Sequence, residues 1–414
     1  MTGPHPVLAK TRNSISIGFF GLGLFMGMWG VMVPLRSAEL GLSELMISAF
    51  LLCIGLSLVA AIFLVTKLSA LQDSGRMIRL AGPAYAVGFT VCLVTGSLPA
   101  FFLFGLVTGF AAGLVDAGLN GQSSQWEQAS GERRMSGFHA LFSLGMLCGA
   151  GLVTLLLSID RNPFVGILLC ALAYSVYILL ASHWLDSAPR MDDDGAATKR
   201  PIRLSLAVIL FLGASITLAS LVEGGVLDWS ALHLNRAMGL PFDEAGRAVL
   251  LFSVAMTVSR FLGDRLGSII APNLLLSLPL IIAGILLTIA VTNGNAALVI
   301  SAYVFVGLAV GNAFPMIVSE VGRAAGDQPL REISVIVGFA YFGLISGPAL
   351  FGVLAHFMGL PVTILAIAGM AFTLGLASYV MPRFVASAGQ TSAGQTSARQ
   401  TSARQTSPGP TNPS

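Results

Sequence analysis

The chain consists of long apolar runs separated by short polar connections, and this pattern continues to about residue 381. A helix needs about 20 mostly apolar residues to cross a lipid bilayer. The runs that meet this requirement lie near residues 14–34, 45–66, 78–95, 99–121, 136–157, 163–182, 204–223, 245–262, 273–291, 297–318, 333–355 and 361–380. They are continuous and do not alternate every two residues, so they predict twelve membrane-spanning helices and not the strands of a barrel.

The polar connections divide these runs into two equal sets, because the longest of them, residues 187–203, has six runs on each side. We therefore predict an all-α membrane protein of two six-helix bundles. The predicted segments are an N-terminus at 1–13, a first bundle at 14–182, a linker at 183–203, a second bundle at 204–381 and a tail at 382–414. The tail contains a pentad repeat rich in Gln, Thr, Ser and Ala, which cannot form a core, and this predicts disorder.

The composition indicates lipid as the solvent. Hydrophobic residues make up 55% of the chain and charged residues only 10%, whereas soluble domains average about 25% charged residues. The net charge of +3 includes no basic block that would bind nucleic acid. The four cysteines form no CxxC pair, so we expect neither a disulfide framework nor a metal site, and no cofactor.

The distribution of positive charge predicts the orientation. With the N-terminus in the cytoplasm, only Arg36, Arg161, Arg236 and Arg247 fall on the outer side. The rest of the 22 Lys and Arg residues then fall on the cytoplasmic side. Membrane proteins concentrate Lys and Arg on that side, so both termini are predicted to be cytoplasmic.

The two halves share short glycine-containing segments, as the internal repeats of a transporter do. GFAAG at 109–113 in the fourth run corresponds to GLAVG at 307–311 in the tenth. The fifth run carries Gly145 and Gly149, and the eleventh carries GLISGPALFG at 343–352. Small residues four positions apart allow helices to approach closely.

Twelve runs, a central linker and the loop KLSALQDSGRMIR at 67–79 resemble the major facilitator superfamily. More specific segments resemble its YbjJ/MosC-type branch, distantly akin to fucose permeases: GLVDAGLNGQ at 113–122, MSGFHALFSLG at 135–145, LVEGGVLDWSALHL at 221–234 and GNAFPMIVSEVGRAAG at 311–326. The resemblance covers about residues 14–382. It implies a monomeric, multi-pass protein of the bacterial inner membrane that transports a small polar metabolite, such as a polyol, a sugar-like solute or the inositol-derived amine rhizopine.

Polar residues inside the apolar runs are the candidate functional residues, because an ionisable group at bilayer depth must pair, face water or take up a proton. Asp116 and Asn120 are four residues apart and therefore share one helix face. His139, about one turn into the fifth run, is expected beside them, with Phe138 adjacent. We predict that Asp116 couples protons, as the resemblance to fucose permeases also implies, and that the other three contact substrate. A structural hydrogen-bond network is the alternative.

In the second half, Glu223 is the candidate for a second proton-coupling acid, and a solvated helix end is the alternative. It is expected to end the seventh helix, since the glycine pair after it invites a break. Trp229 then either stacks on a sugar-like ring or anchors the helix at the membrane interface. Asp228 and His233 are expected in an outer vestibule or loop.

Three further residues complete the predicted substrate contacts: Trp29, Asn312 and Tyr341. Asn312 has the alternative of joining two helices by hydrogen bonds, and Trp29 that of an interface anchor.

A different group of charged residues lies at the predicted cytoplasmic edge: Asp73, Arg76, Arg260 and Asp264. Charge pairs between helices at this edge would act as a gate that breaks when the protein opens inward. Solvated loop charges are the alternative.

The sequence lacks the motifs that are typical of other functional classes. The chain contains no HExxH, GxSxG or Walker sequence, which argues against an enzyme or an ATP-driven pump. It has no repeated pore loop of a channel. We therefore predict a secondary transporter that uses protons as its partner ion, with a proton-driven exporter as the main alternative and a channel or a membrane sensor as lesser ones.

Overall fold

The protein is described from a computed structural model that covers residues 6–67, 74–132, 134–181, 184–185, 204–267, 269–325 and 330–405. Within these ranges the regular structure is helical: α1 (Pro6–Leu40), α2 (Glu44–Lys67), α3 (Ser74–Val94), α4 (Leu98–Ser130), α5 (Met135–Ser158), α6 (Pro163–Ala181), α7 (Leu206–Leu232), α8 (Phe242–Gly267), α9 (Pro272–Asn293), α10 (Ala296–Val310), α11 (Ala313–Ala325), α12 (Leu330–Met358) and α13 (Leu360–Gln405). A π-helical turn, His233–Ala237, extends α7.

The helices form two six-span bundles, α1–α6 and α7–α13, which we call the first and second halves. Because α10 and α11 together make the tenth span, α12 and α13 are the eleventh and twelfth. The described residues contain 12 spans that are long and apolar enough to cross a membrane, which confirms the prediction. We call the end where α1 begins the proximal end and the end where it finishes the distal end.

Large apolar side chains cover the outside of the bundle as well as its core. Phe63, Leu103 and Leu180 are each more than half exposed, whereas Phe19, Phe25 and Met28 are fully buried. An outer surface of this kind is unfavourable in water and favourable against lipid chains. The exterior therefore agrees with the composition in indicating a membrane.

Glycines bring α1 and α5 into direct backbone contact. A Cβ atom on Gly145 would lie 2.0 Å from the carbonyl oxygen of Phe20, and one on Gly149 would lie 1.9 Å from that of Leu24. Only glycine permits this approach. As a result, α1 fills the centre of the first half, between α4 and α5.

The repeated glycine segments occupy equivalent contacts in the two halves. Gly109 and Gly113 place α4 against α2, and Gly307 and Gly311 place α10 against α8. The internal symmetry predicted from the sequence is therefore present at the level of helix pairs.

Two predicted boundaries differ in the structure. Glu223 does not end a helix, because α7 continues through the glycine pair to Leu232. Gly225 is covered by Phe351 and Ile367, and inside a bilayer an unbroken helix keeps every backbone hydrogen bond. The predicted boundary at residue 382 is not a helix end either, since α13 runs to Gln405. Most of the predicted linker lies outside the described residues.

The two halves are joined at the distal end. Arg236 binds the Glu44 carboxylate at 2.6 Å and the Leu42 carbonyl oxygen at 2.6 Å. The Ser48 hydroxyl donates to the carbonyl oxygen of Pro348, so α2 and α12 are in contact as well. These bonds close the space between the halves on the distal side.

Candidate functional site

Asp116, near the middle of α4, connects the two halves through its carboxylate. Its Oδ1 accepts a hydrogen bond from Asn120 Nδ2 at 3.0 Å. Its Oδ2 accepts one from the hydroxyl of Tyr341 at 2.9 Å, and Tyr341 belongs to α12 of the second half. Asn120 also donates to the Asp116 carbonyl oxygen at 2.9 Å, one helical turn away. The predicted pairing of Asp116 with Asn120 is therefore present, and Tyr341 joins them from the other half.

Arg260, two turns before the end of α8, makes a second connection between the halves. Its Nη2 lies 3.3 Å from both carboxylate oxygens of Glu223, and its Nε donates to the Gly311 carbonyl oxygen at 3.0 Å. Its Nη1 donates to the hydroxyl of Ser143 on α5. The guanidinium therefore holds α7, α8 and the turn between α10 and α11 together and contacts the first half.

This placement differs from the predicted position of Arg260 at the edge of the bundle. The Arg260 and Glu223 side chains are only 18% and 24% exposed, so the pair is largely withdrawn from solvent. Such a pair is sensitive to the loss of either partner, because the remaining charge is left without compensation. Glu223 and Arg260 therefore form one ion pair in the centre of the bundle. The sequence had predicted Glu223 at a helix end and Arg260 in a separate gate at the edge.

His139 is not among the described hydrogen-bond partners of Asp116, and its helix α5 packs mainly against α1. It is exposed, its ring centroid lies 5.0 Å from that of Phe19, and it faces the charge of Arg260. Ser143 follows it by one helical turn and is buried against Arg260. His139 therefore belongs to the arginine side of the site.

Four predicted substrate contacts are buried in the packed helices and do not line an open passage in this conformation. Phe138 lies against Phe19 with their ring centroids 6.2 Å apart, and Trp229 is fully buried. Asn312 donates to the carbonyl and hydroxyl oxygens of Ser259, both at 2.8 Å, which matches the alternative of joining helices. Trp29 is 7% exposed and lies near the distal end of α1.

The structure describes only some of the residues of the predicted edge gate. Asp73 lies outside the described residues, and the side chain of Asp264 is not described. Arg76 is exposed in the first turn of α3. Arg260 points to Glu223 instead of towards this edge.

Two polar contacts between the halves were not predicted from the sequence: Ser143 with Arg260 in the site, and Glu44 with Arg236 at the distal end. Ser143 is four residues after His139, so the helical spacing that grouped Asp116 with Asn120 would also have found it. The Glu44 contact of Arg236 had no such signal, because 192 residues separate the two.

Known proteins are similar to this chain over most of its length. The model of the Major Facilitator Superfamily matches residues 15–331. An uncharacterized MFS-type transporter of Yersinia pestis is 30% identical over 372 residues, which are 89% of this chain and 95% of that protein. Membrane protein MosC of Rhizobium meliloti is 22% identical over 388 residues, which are 92% of this chain and 93% of that protein.

Solved structures share the same fold. The nucleoside transporter NupG aligns with a TM-score of 0.66 at 16% identity and covers 90% of this chain and 99% of its own. A bacterial homolog of the human lysosomal transporter Spinster, in an inward-facing and unoccupied conformation, aligns with a TM-score of 0.62 at 12% identity and covers 94% of this chain and 98% of its own. At these identities the likeness concerns the fold alone.

Proposed function

The chain belongs to the Major Facilitator Superfamily and is a multi-pass membrane transporter, not an enzyme, and from this premise we propose that it moves a small polar solute in exchange for, or together with, protons. The two halves would rock about the central site, which opens alternately to each side of the membrane. We infer symport into the cell as the mode of transport, with proton-driven export as the alternative that shares this architecture.

The hydrogen bond between Asp116 and Tyr341 is the observation that carries the proposal. An ionised carboxylate accepts strong, charge-assisted hydrogen bonds. Once Asp116 takes up a proton, its bond with Tyr341 loses the contribution of the charge. Proton binding at Asp116 therefore weakens a connection between the halves and couples protonation to their movement.

The chemistry of the site supports a hydroxylated solute. Asn120 and His139 offer donors and acceptors suited to hydroxyl groups, and Arg260 and Glu223 supply opposite charges nearby. We propose a polyol, a sugar-like compound or a rhizopine-like compound.

The charge distribution supports a cytoplasmic proximal end in the inner membrane of a bacterium. Excess Lys and Arg mark the cytoplasmic side, and the proximal end contains Lys10, Arg12 and Arg134. Because the halves are joined at the distal end, this conformation is one in which the distal side is closed. We propose that it faces the cytoplasm.

The proposal is tested with Asp116→Asn in proteoliposomes. A thermal-shift screen of polyols, sugars, nucleosides and amines first identifies a solute, since a ligand stabilises the state it binds. Accumulation of that solute driven by a pH gradient is expected to fall at least about tenfold in the variant. Exchange of labelled for unlabelled solute is expected to continue, because it needs no net proton movement.

The matched control is Asp160→Asn, the same substitution at an exposed position in the connection between α5 and α6. Asp160 has a φ of 52°, which asparagine tolerates, so this variant should accumulate solute like the wild type. Gradient-driven accumulation by Asp116→Asn at the level of this control would exclude the coupling role.

A further inference from the structure

Asp228 is a carboxyl group in the seventh span that has no part in the arrangement described so far. The sequence suggested a vestibule or loop, but Asp228 lies within α7, only partly exposed. Its carboxyl lies beside the indole of Trp29 from α1 of the first half. The buried Trp29 Nε1 has no partner within ordinary hydrogen-bond geometry, and its N–H faces the Asp228 carboxyl. A carboxyl and an N–H donor from opposite halves therefore meet in a weak hydrogen bond.

No cation neutralises Asp228 among the described residues, because the charged groups around it have other partners or lie at the ends of the bundle. On its own helix, Glu223 pairs with Arg260 of α8, and His233 lies 3.3 Å from the Tyr303 hydroxyl of α10. On the π-helical extension of α7, Arg236 is paired with Glu44. The groups on the other elements that pack against α7 lie at the ends of the bundle or have partners of their own. They are Lys10 and Arg12 in the proximal part of α1; Arg36 of α1, paired with Glu39; Tyr341 of α12, bound to Asp116; Asp243 and Arg247 of α8, paired with each other; Glu244 at the distal start of α8; Arg265 at its proximal end; Glu320 and Arg323 of α11, paired at the proximal end; Glu332 and His356 at the two ends of α12; and Tyr379 and Arg383 towards the far end of α13.

A small cavity adjoins Asp228 between α7 and α12. Its walls are formed by Ser220 and by four glycines, which are Gly224, Gly225, Gly343 and Gly347, together with apolar side chains. The cavity volume of about 10 Å³ is room for about one water molecule. The cavity therefore can hold a water molecule beside Asp228, and the carboxyl can bind a proton there, but a large counter-ion does not fit.

An ionised carboxylate in these surroundings would lack the opposite charge that a desolvated anion requires. Binding a proton removes the charge and leaves a group that can donate one hydrogen bond and accept another. From this geometry we propose that Asp228 is a second proton-binding site of the transport cycle, on the distal side of the central site. The inference builds on the proposed proton coupling and assigns a further residue to it.

The position of Asp228 determines the side of the membrane with which the second site exchanges its proton. It lies five residues beyond Glu223, about 7.5 Å further towards the distal end. The distal end is closed here by Arg236 and Ser48, so opening that end exposes Asp228 further to the distal side. Asp228 then exchanges its proton with the distal side, while Asp116 exchanges its proton with the proximal side.

The test uses the indole N–H of Trp29 as a reporter in the full-length protein in detergent. The chain has 4 tryptophans, so ¹⁵N-tryptophan labelling gives a small set of indole signals, and Trp29→Phe identifies the one from Trp29. We expect this signal to show a one-proton transition when the pH is varied. The transition should disappear in Asp228→Asn and remain in Asp116→Asn.

Two further measurements separate proton binding at Asp228 from misfolding of the variant and from sodium binding. Asp228→Glu retains a carboxyl and should move the midpoint without abolishing the transition, which covers the case in which Asp228→Asn does not fold. Replacing choline chloride by sodium chloride at constant pH should leave the Trp29 signal unchanged. A transition that persists in Asp228→Asn, or a signal that responds to sodium, would overturn the assignment. Because the signal reports proton binding and not uptake, its outcome is separate from that of the Asp116 experiment.

Discussion

At the scale of single residues, the central site depends on a few polar groups whose partners come from the opposite half. Asp116 and Asn120 share a helix face, but the hydroxyl that completes the site comes from Tyr341, 225 residues away. A hydrogen bond from a neutral donor to a carboxylate contributes about 1.5–3 kcal/mol. One hydroxyl is therefore enough to shift the balance between joined and separated halves.

Tyr341→Phe removes only this hydroxyl and keeps the ring. We expect proton-driven accumulation of solute to fall several-fold, because Asp116 then bonds only to its own helix and no longer senses the second half. Proteoliposome uptake measures the effect. Tyr379→Phe, at an exposed position on α13, is the control and should leave uptake unchanged. Equal uptake by the two variants would show that the Asp116–Tyr341 bond has no role in coupling.

The sequence was informative about residues that share a helix and uninformative about those that meet across helices. Asp116 and Asn120 were paired correctly because four-residue spacing defines a helix face. His139 was expected beside them, but its described contacts are with Phe19 and Arg260, because α5 packs mainly against α1. The pairing of Arg260 with Glu223 was missed for the same reason: which helices pack together is decided by tertiary structure.

At the scale of elements, small residues determine which helices are neighbours. The contact between α1 and α5 depends on glycines that face backbone atoms, where no side chain can move aside. The twelve spans were predictable because a bilayer requires long apolar helices. The break expected after Glu223 was wrong because Gly225 serves close packing against Phe351 and Ile367.

Gly149→Ala tests this account of the α1–α5 contact. The added Cβ would lie 1.9 Å from the Leu24 carbonyl oxygen, so the helices must separate. Overpacking of this kind costs about 1–3 kcal/mol, and we expect the melting temperature in detergent to fall by roughly 5 °C.

Gly151→Ala is the matched control, two residues further along α5. Its Cβ would meet only the Leu250 side chain, at an ordinary 3.5 Å, and the melting temperature should stay close to that of the wild type. Equal melting temperatures for the two variants would contradict the claim that glycine sets this contact.

At the scale of the whole molecule, the two halves pack against each other along several helices and are joined by a few polar contacts. Arg236 joins them at the distal end through Glu44 and Leu42, and Arg260 and Tyr341 join them near the centre. Alternating access requires that these contacts exchange as the halves rock. Weakening the distal contact should therefore open the distal end and close the proximal one.

Spin-label distances in the Arg236→Ala variant test the central claim most directly. In a cysteine-free background, labels at residues 160 and 292 report the distal separation of the halves, and labels at residues 132 and 323 report the proximal one; all four positions are exposed. Arg247→Ala is the control, because Arg247 pairs with Asp243 of its own helix at 3.5 Å. Alternating access predicts that Arg236→Ala lengthens the distal distance and shortens the proximal one, while the control changes neither. Distances that stay unchanged, or that lengthen at both ends together, would contradict two halves rocking about a central proton-binding site.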